Sequence, residues 1–288
     1  MIPGNKIIRN FWECRDRRID LSTPKIMGVV NVTPDSFSDG GKFYSTDKAI
    51  EHGIQLAKDG ADILDVGGES TRPGAEDVSV LSELERVIPV IEELSLRGLT
   101  VSVDTSKPEV MIAAADAGAQ IINDVYALKR PGAVEAAVKT GCGVCLMHMQ
   151  GEPRTMQKHP SYMDMMFEIK NFFVRRVTEL IDHGLPAENI VLDPGFGFGK
   201  TISQNFELLA KTEDFLVVGY PLLYGMSRKS SLGAVTGIKQ ADQRLTSSVT
   251  AHLLAIERGA SIVRVHDVKQ MKEALNVYYA MVHYLELT

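Results

Sequence analysis

Eight apolar, β-branched runs in this 288-residue chain each stop at a polar residue and give way to loop sequence. The stops are Asn31, Asp65, Asp104, Asn123, His148, Asp193, Ser227 with Lys229, and Arg264 with His266. A carboxylate, amide or guanidinium at the buried end of an apolar strand costs several kcal/mol if left dry and unpaired, so such ends must meet partners or ligands. Eight of them imply one shared polar site.

The residue types suggest what that site handles. Asp104, Asn123, Asp193 and Lys229 combine two carboxylates, an amide and an ammonium, a set suited to the donor and acceptor edges of a planar heterocycle. Phe198 adds an aromatic rim, and Met147 either covers a ring face or belongs to the core. Arg264 and His266 stand at i and i+2 of one strand and share a face. With Arg72, whose planar fork of donors matches phosphate or carboxylate, they form an anion clamp of the kind that stabilises a leaving phosphate. A solvated loop arginine is the competing reading of Arg72. Asn31 offers one oxygen ligand to a hard cation such as Mg²⁺, which keeps water and phosphate oxygens as its other ligands. Pro34, Gly40 and Gly41 fit an ordinary connector equally well.

Other strings carry less. Pro194–Thr201 resembles a phosphate loop, but only three residues separate Gly195 from Gly199 where a Walker A loop needs four. Its glycines instead let the backbone pass close to a flat ligand beside Asp193, and Lys200 is expected in solvent. Cys142 and Cys145 lie in one apolar run at i and i+3, so they point to opposite faces and read as core, not as a redox or zinc pair. His52, His183, His252 and His283 fall on expected helices and carry no function, while His148 stays ambiguous.

Positioning these residues takes alternating elements. Strands are predicted over 25–31, 62–66, 99–104, 120–124, 142–148, 189–193, 222–227 and 261–266. Helices are predicted over 46–59, 82–97, 107–117, 131–140, 161–183, 203–211, 242–258 and 268–285. Ser82 with Glu85 spells a capping box, and Ser106 with Pro108 a cap and first turn. Gly60, Gly118 and Gly259 open nearly identical phrases that end at Asp65, Asn123 and Arg264, which puts those three residues in equivalent places. Eight βα units without a dinucleotide fingerprint predict an α/β fold of the (β/α)8 TIM-barrel type, with the active site at the C-terminal mouth of the strands. Residues 1–288 read as one domain, 1–24 being an N-terminal lead-in, and 32–45, 67–81 and 149–160 as mouth loops.

With 44% apolar and 24% charged residues the composition is that of a globular protein, and a net charge of −6 leaves no basic stripe for nucleic acid or anionic membrane. The ligands are therefore expected to be small. No signal-peptide core or membrane-length apolar run occurs, which predicts a cytoplasmic protein, and three cysteines are too few for a disulfide framework.

Five segments, Asn31–Gly41, Gly67–Gly74, Asp193–Lys200, Ser227–Ser230 and Arg264–Asp267, resemble in order the motifs of the dihydropteroate synthase family. The resemblance runs from about residue 25 to the C-terminus. It implies condensation of (7,8-dihydropterin-6-yl)methyl diphosphate with p-aminobenzoate, giving 7,8-dihydropteroate and diphosphate. It further implies that Asp104, Asn123, Met147, Asp193 and Lys229 hold the pterin, and that Arg72, Arg264 and His266 hold the diphosphate. Asn31 would act there through Mg²⁺. Phe37, Thr71, Pro73, Phe198 and Ser230 would surround the aminobenzoate, with Asp104, Lys229, Arg264 and His266 in the catalytic roles. The family is typically homodimeric. Rival readings are a pterin-binding methyltransferase, an inactive pterin-binding paralogue, and a Schiff-base aldolase using Lys229.

Overall fold

Three glycines set the rhythm of the chain. Gly60, Gly118 and Gly259 take φ of 106°, 104° and 100°, the left-handed region that only glycine enters without strain, and each turns a finished helix toward the next strand. This is the role the repeated phrases predict. The structure is a computed structural model and describes residues 9–32, 42–70, 77–152, 155–156 and 160–284.

A short hairpin, β1 (Phe11–Cys14) and β2 (Arg17–Asp20), precedes eight parallel strands. These are β3 (Lys25–Asn31), β4 (Ile63–Gly67), β5 (Val101–Asp104), β6 (Ile121–Asp124), β7 (Gly143–Met147), β8 (Ile190–Asp193), β9 (Leu223–Tyr224) and β10 (Ile262–Val265). Their order is β8-β7-β6-β5-β4-β3-β10-β9, and a parallel bridge between Leu192 and Leu222 joins the two ends, closing the barrel. The helices are α1 (Lys42–Lys58), α2 (Val80–Leu96), α3 (Pro108–Asp116), α4 (Ala133–Thr140), α5 (Met165–Asp182), α6 (Ile202–Ala210), α7 (Ser230–Thr236), α8 (Leu245–Glu257) and α9 (Val268–Val282).

Three details depart from expectation. Ser79, not Ser82, caps α2: its hydroxyl accepts from the Ser82 N–H at 3.1 Å, because the helix already begins at Val80. The residue before α3 is Lys107, with extended backbone and no side-chain cap, so Ser106 caps nothing, although Pro108 opens the helix as expected. The sequence also gave no sign of α7, a seven-residue helix whose Gly233 and closing Gly237 hide its period.

Alternation along the strands divides the core. Outward residues such as Val66, Val103, Val144 and Leu192 pack against the helices. Inward Met27, Ile63, Ile121, Cys145, Val191, Leu223 and Ile262 meet Trp12, Cys14 and Leu21 inside the barrel. Cys142 falls in the outer cluster and Cys145 in the inner one, as their spacing requires, and all three thiols are free. The lead-in is thus more than a leader. Its hairpin plugs the strands' N-terminal end, with Trp12 fully buried and its indole N–H donating to the Asn189 carbonyl at 2.7 Å. Gly143 makes room: a Cβ there would lie 2.5 Å from Cys14 Sγ and 2.8 Å from Trp12 Nε1.

Trp12→Ala should lower stability by about 3–5 kcal/mol, since the cavity it leaves is sealed by the barrel floor. Urea unfolding checks this, and a loss under about 1 kcal/mol would reduce the hairpin to an appendage.

Candidate active site

Because side chains alternate, the inward position above the apolar layer is polar on β4, β5, β6, β8 and β10, and parallel register brings these residues together. Asp65 pairs with Ser102 and Asp104 with Asn123, while Met147 pairs with Asp193. Asp65 is fully buried. Its Oδ2 accepts from Arg264 Nε at 2.6 Å and from Asn123 Nδ2 at 3.0 Å. Arg264 Nη2 donates to Asp104 Oδ2 at 2.7 Å, so one guanidinium spans two carboxylates from neighbouring strands.

This arrangement fixes the lone pairs that remain. A carboxylate only accepts, so the amide atom of Asn123 turned to Asp65 must be nitrogen, and Asn123 Oδ1 is left as an acceptor. Asp104 spends Oδ2 on Arg264 and Asp193 spends Oδ1 on the Gly195 N–H at 2.7 Å, leaving one carboxylate oxygen each. The facing donor is Lys229, whose Nζ donates to the Phe196 carbonyl at 2.7 Å and stands 3.8 Å above the Phe198 ring, a cation–π contact. Met147, Met156, Val125 and Phe198 make an apolar cluster alongside. Three acceptors opposite one ammonium, beside an apolar wall, suit a flat ligand whose edge is rich in N–H groups.

Burial dominates the electrostatics. It raises the Asp104 carboxyl above its ordinary value, with Arg264 opposing and Asp65 adding to the rise. Asp193 is raised by burial as well, against the pull of the Gly195 N–H and Lys229. Lys229 is brought down to about 7 by burial, opposed by Asp193. Burial also works against the Arg264 cation, but Asp65 and Asp104 more than offset it.

His266 lies two residues beyond Arg264, its Nδ1 2.9 Å from the Ser227 hydroxyl. Ser230 is exposed at the start of α7. Asn31 ends β3 half-buried, paired with Gly67. Phe37, Thr71, Arg72 and Pro73 lie outside the described residues. Among the described residues no group of three or more His, Cys, Asp or Glu side chains could hold a metal ion.

One expectation fails outright. Lys200 is not solvated but only 2% exposed, and its Nζ donates to the Gly195 and Phe198 carbonyls at 2.9 Å each. The ambiguous His148 is its neighbour, with Nδ1 at 3.2 Å, and burial together with Lys200 pushes that imidazole well below its ordinary pKa. The sequence marks Asp65 only as a strand end; the repeated Gly-Ala phrases, which equate it with Asn123 and Arg264, are the signal for its role. No spacing foretold a third cluster, in which Lys107 Nζ meets Glu69 at 2.7 Å and the buried Glu83 at 2.5 Å. Glu69 also accepts from the Val78 N–H at 2.9 Å.

A family model described as pterin binding enzyme matches residues 27–266. The chain is 50% identical over 263 residues to the dihydropteroate synthase of Escherichia coli (strain K12), spanning 91% of this chain and 93% of that one. It is similar to the solved structure of Xanthomonas albilineans dihydropteroate synthase with 4-aminobenzoic acid at a TM-score of 0.90 and 48% identity, covering 95% of this chain and 98% of that one. To the Xanthomonas albilineans dihydropteroate synthase in complex with 7,8-dihydropteroate the TM-score is 0.87 at 46% identity, with 95% and 99% covered.

The raised carboxyl of Asp104 makes a pH prediction. With its folded pKa above the unfolded value of 3.8, the native state binds this proton more tightly, so the residue's contribution to stability grows as pH falls from its folded pKa toward 3.8. Asp104→Asn lacks that contribution. Its stability relative to the unsubstituted protein should therefore be highest near pH 8 and decline toward pH 4, measured by urea unfolding without ligand; a difference that does not vary with pH would contradict the assignment.

Proposed function

The chain belongs to the pterin-binding enzymes and among them to the dihydropteroate synthases, and on that premise we propose that it condenses (7,8-dihydropterin-6-yl)methyl diphosphate with p-aminobenzoate. The observation that carries this reading is the unspent hydrogen-bonding set of the barrel mouth. Asn123 Oδ1 and one oxygen each of Asp104 and Asp193 accept, and Lys229 donates. A 2-amino-4-oxo pteridine presents the complement, an amidine-like N–H edge for a carboxylate and a ring carbonyl for an ammonium. Phe198 and Met147 supply apolar surface beside it.

The aniline nitrogen of aminobenzoate keeps its lone pair at neutral pH and needs no base to attack. As the bond from the pterin methylene carbon to the diphosphate oxygen breaks, the electron pair leaves with the diphosphate and the new C–N bond forms at that carbon. The displaced amine proton passes to solvent. Positive charge on the methylene is eased by Asp104 and Asp193, and Arg264, His266 and Arg72 are assigned to the departing anion. Phe37, Thr71, Pro73, Phe198 and Ser230 are assigned to the aminobenzoate.

Asn31 fits Mg²⁺ as a single amide oxygen. With no multidentate acidic cluster among the described residues, the remaining ligands would be waters and diphosphate oxygens, the set this ion prefers. When bound, the ion would neutralise charge on the leaving group.

The partner of the folded chain, in this reading, is a second copy. Leu254 on α8 and Val277, Met281 and Val282 on α9 are exposed apolar side chains on adjacent helices, which favours a homodimer through that face. Three free buried thiols suit the reducing cytoplasm, and no helix among the described residues is long and apolar enough to cross a membrane.

Diphosphate release and dihydropteroate formation, assayed with both substrates and Mg²⁺, test the reaction. Turnover requiring both substrates is expected; tight pterin binding without turnover would make the protein a binding paralogue, and methyl transfer from a methyl-folate without diphosphate release would make it a methyltransferase. Asp193→Ala should weaken dihydropterin binding by about 10- to 100-fold in calorimetry, the value of a charge-assisted hydrogen bond. Unchanged affinity would remove Asp193 from the pterin site.

A further inference from the structure

Lys200 is buried at 2% exposure, yet among the described residues its ammonium makes no ion pair. Its partners are the Gly195 and Phe198 carbonyls, both at 2.9 Å, the His148 carbonyl at 3.4 Å and His148 Nδ1 at 3.2 Å. A dry ammonium without a carboxylate in contact is costly, and an apolar side chain would fill the space more cheaply. What the ammonium does that a hydrocarbon cannot is gather carbonyl dipoles.

The loop it gathers is the one that holds Lys229. Gly195, Gly197 and Gly199 take φ of 74°, 83° and 63°, which folds residues 194–200 back on themselves. A Cβ on Gly195 would fall 1.9 Å from the His148 carbonyl oxygen, and one on Gly197 would fall 2.8 Å from Lys229 Cδ, so the loop is wedged between the end of β7 and Lys229. From α6, Asn205 Oδ1 accepts from the Gly197 N–H at 2.5 Å. The carbonyls then part company: those of Gly195 and Phe198 go to Lys200, and that of Phe196 goes to Lys229, which also rides on the Phe198 ring.

We propose that Lys200 is a positioning residue for the pterin site: by drawing in the Gly195 and Phe198 carbonyls, its ammonium sets the Phe196 carbonyl and Phe198 ring that hold Lys229 beside Asp193. The inference rests on the pterin reading of Asp193 and Lys229. The charged and titratable groups facing Lys200 are His148 from just beyond β7, Asp193 from β8 and Lys229 from beyond β9. Burial brings Lys200 down to about 7, with Asp193 opposing and Lys229 reinforcing, while the His148 imidazole is pushed well below its ordinary pKa. One carboxylate thus acts on two lysines, and among the described residues it makes an ion pair with neither.

Calorimetry with a dihydropterin lacking the diphosphate, on the full chain, reads the effect whether or not turnover is present. Lys200→Met keeps the length and removes the charge; it should weaken dihydropterin binding about ten-fold or more, equivalent to about 1.4 kcal/mol. Lys200→Ala should regain pterin affinity with added ethylammonium, and not with ethanol or the bulkier tetramethylammonium. Should the Met variant fail to fold, the Ala variant assayed with ethylammonium decides alone. Unchanged dihydropterin affinity in Lys200→Met, or rescue of Lys200→Ala by ethanol as well as by ethylammonium, would overturn the role. Absence of turnover in the unsubstituted protein would overturn the proposed reaction instead, and leaves the affinity comparison standing as the test of Lys200.

Discussion

A single guanidinium makes the site possible. Asp65, Asp104 and Asp193 project into one barrel interior, and the unpaired charges would each cost several kcal/mol there. At contact distance in a partly wet interior an opposite charge returns about 4 kcal/mol, comparable to that penalty and no larger. The Arg264 bridge to Asp65 and Asp104 therefore adds little to stability. What it provides is geometry: it occupies one oxygen of each carboxylate, orients Asn123 through Asp65, and so determines which atoms remain for a ligand. The buried Asp65 Oδ1 and Ser102 Oγ, neighbours in register, have no hydrogen-bond partner, which marks the cost accepted at this level of the barrel.

Most of the framework was legible because it rests on local periodicity. Each strand alternates in and out, each helix repeats its apolar face, and glycine at a fixed offset ends three of the helices; nothing distant is needed to read these. The polar strand ends were legible for the same reason, since an i, i+2 pair such as Arg264 and His266 must share a face. The hairpin was not. Trp12 and Cys14 acquire meaning only when Gly143, more than a hundred residues away, opens the space they enter. Lys200 was misassigned because residue type favours solvent for lysine, and only the fold of its own loop creates the carbonyl cage that overrides that preference. The cluster of Lys107, Glu69 and Glu83 was invisible because Lys107 comes from a different βα unit than the two glutamates, and no spacing within one unit encodes the contact.

The two ends of the barrel divide the labour. At the N-terminal end Trp12, Ile63, Ile121 and Ile262 close a dry plug, and the layer above it changes abruptly to Asp65, Asn123 and Arg264 on the same strands. Ile63 and Asp65, Ile121 and Asn123, and Ile262 and Arg264 are pairs two residues apart on one face. The recurrence of this apolar-then-polar pair explains why the helix-ending phrases look alike. They encode the same step from floor to site three times. A change that shifted any one strand by a single residue would place its isoleucine and its polar partner on the outer face together, so the register that secures the core also secures the chemistry.

In the proposed reaction the layout has no need of a strong base at the mouth. An amine nucleophile arrives already competent, so the demand falls on holding an electrophile whose bond to its leaving group is weakening, with carboxylates near the carbon and cations near the departing anion. Burial serves the first requirement in a particular way. It raises the Asp104 and Asp193 carboxyls, so a positive charge placed beside either would be stabilised more strongly than in water. The same burial lowers Lys229 and Lys200 toward 7 and so limits how much positive charge the pocket presents before a ligand enters. A site balanced between reluctant anions and reluctant cations has most to gain from a ligand that carries an N–H-rich edge on one side and a diphosphate on the other.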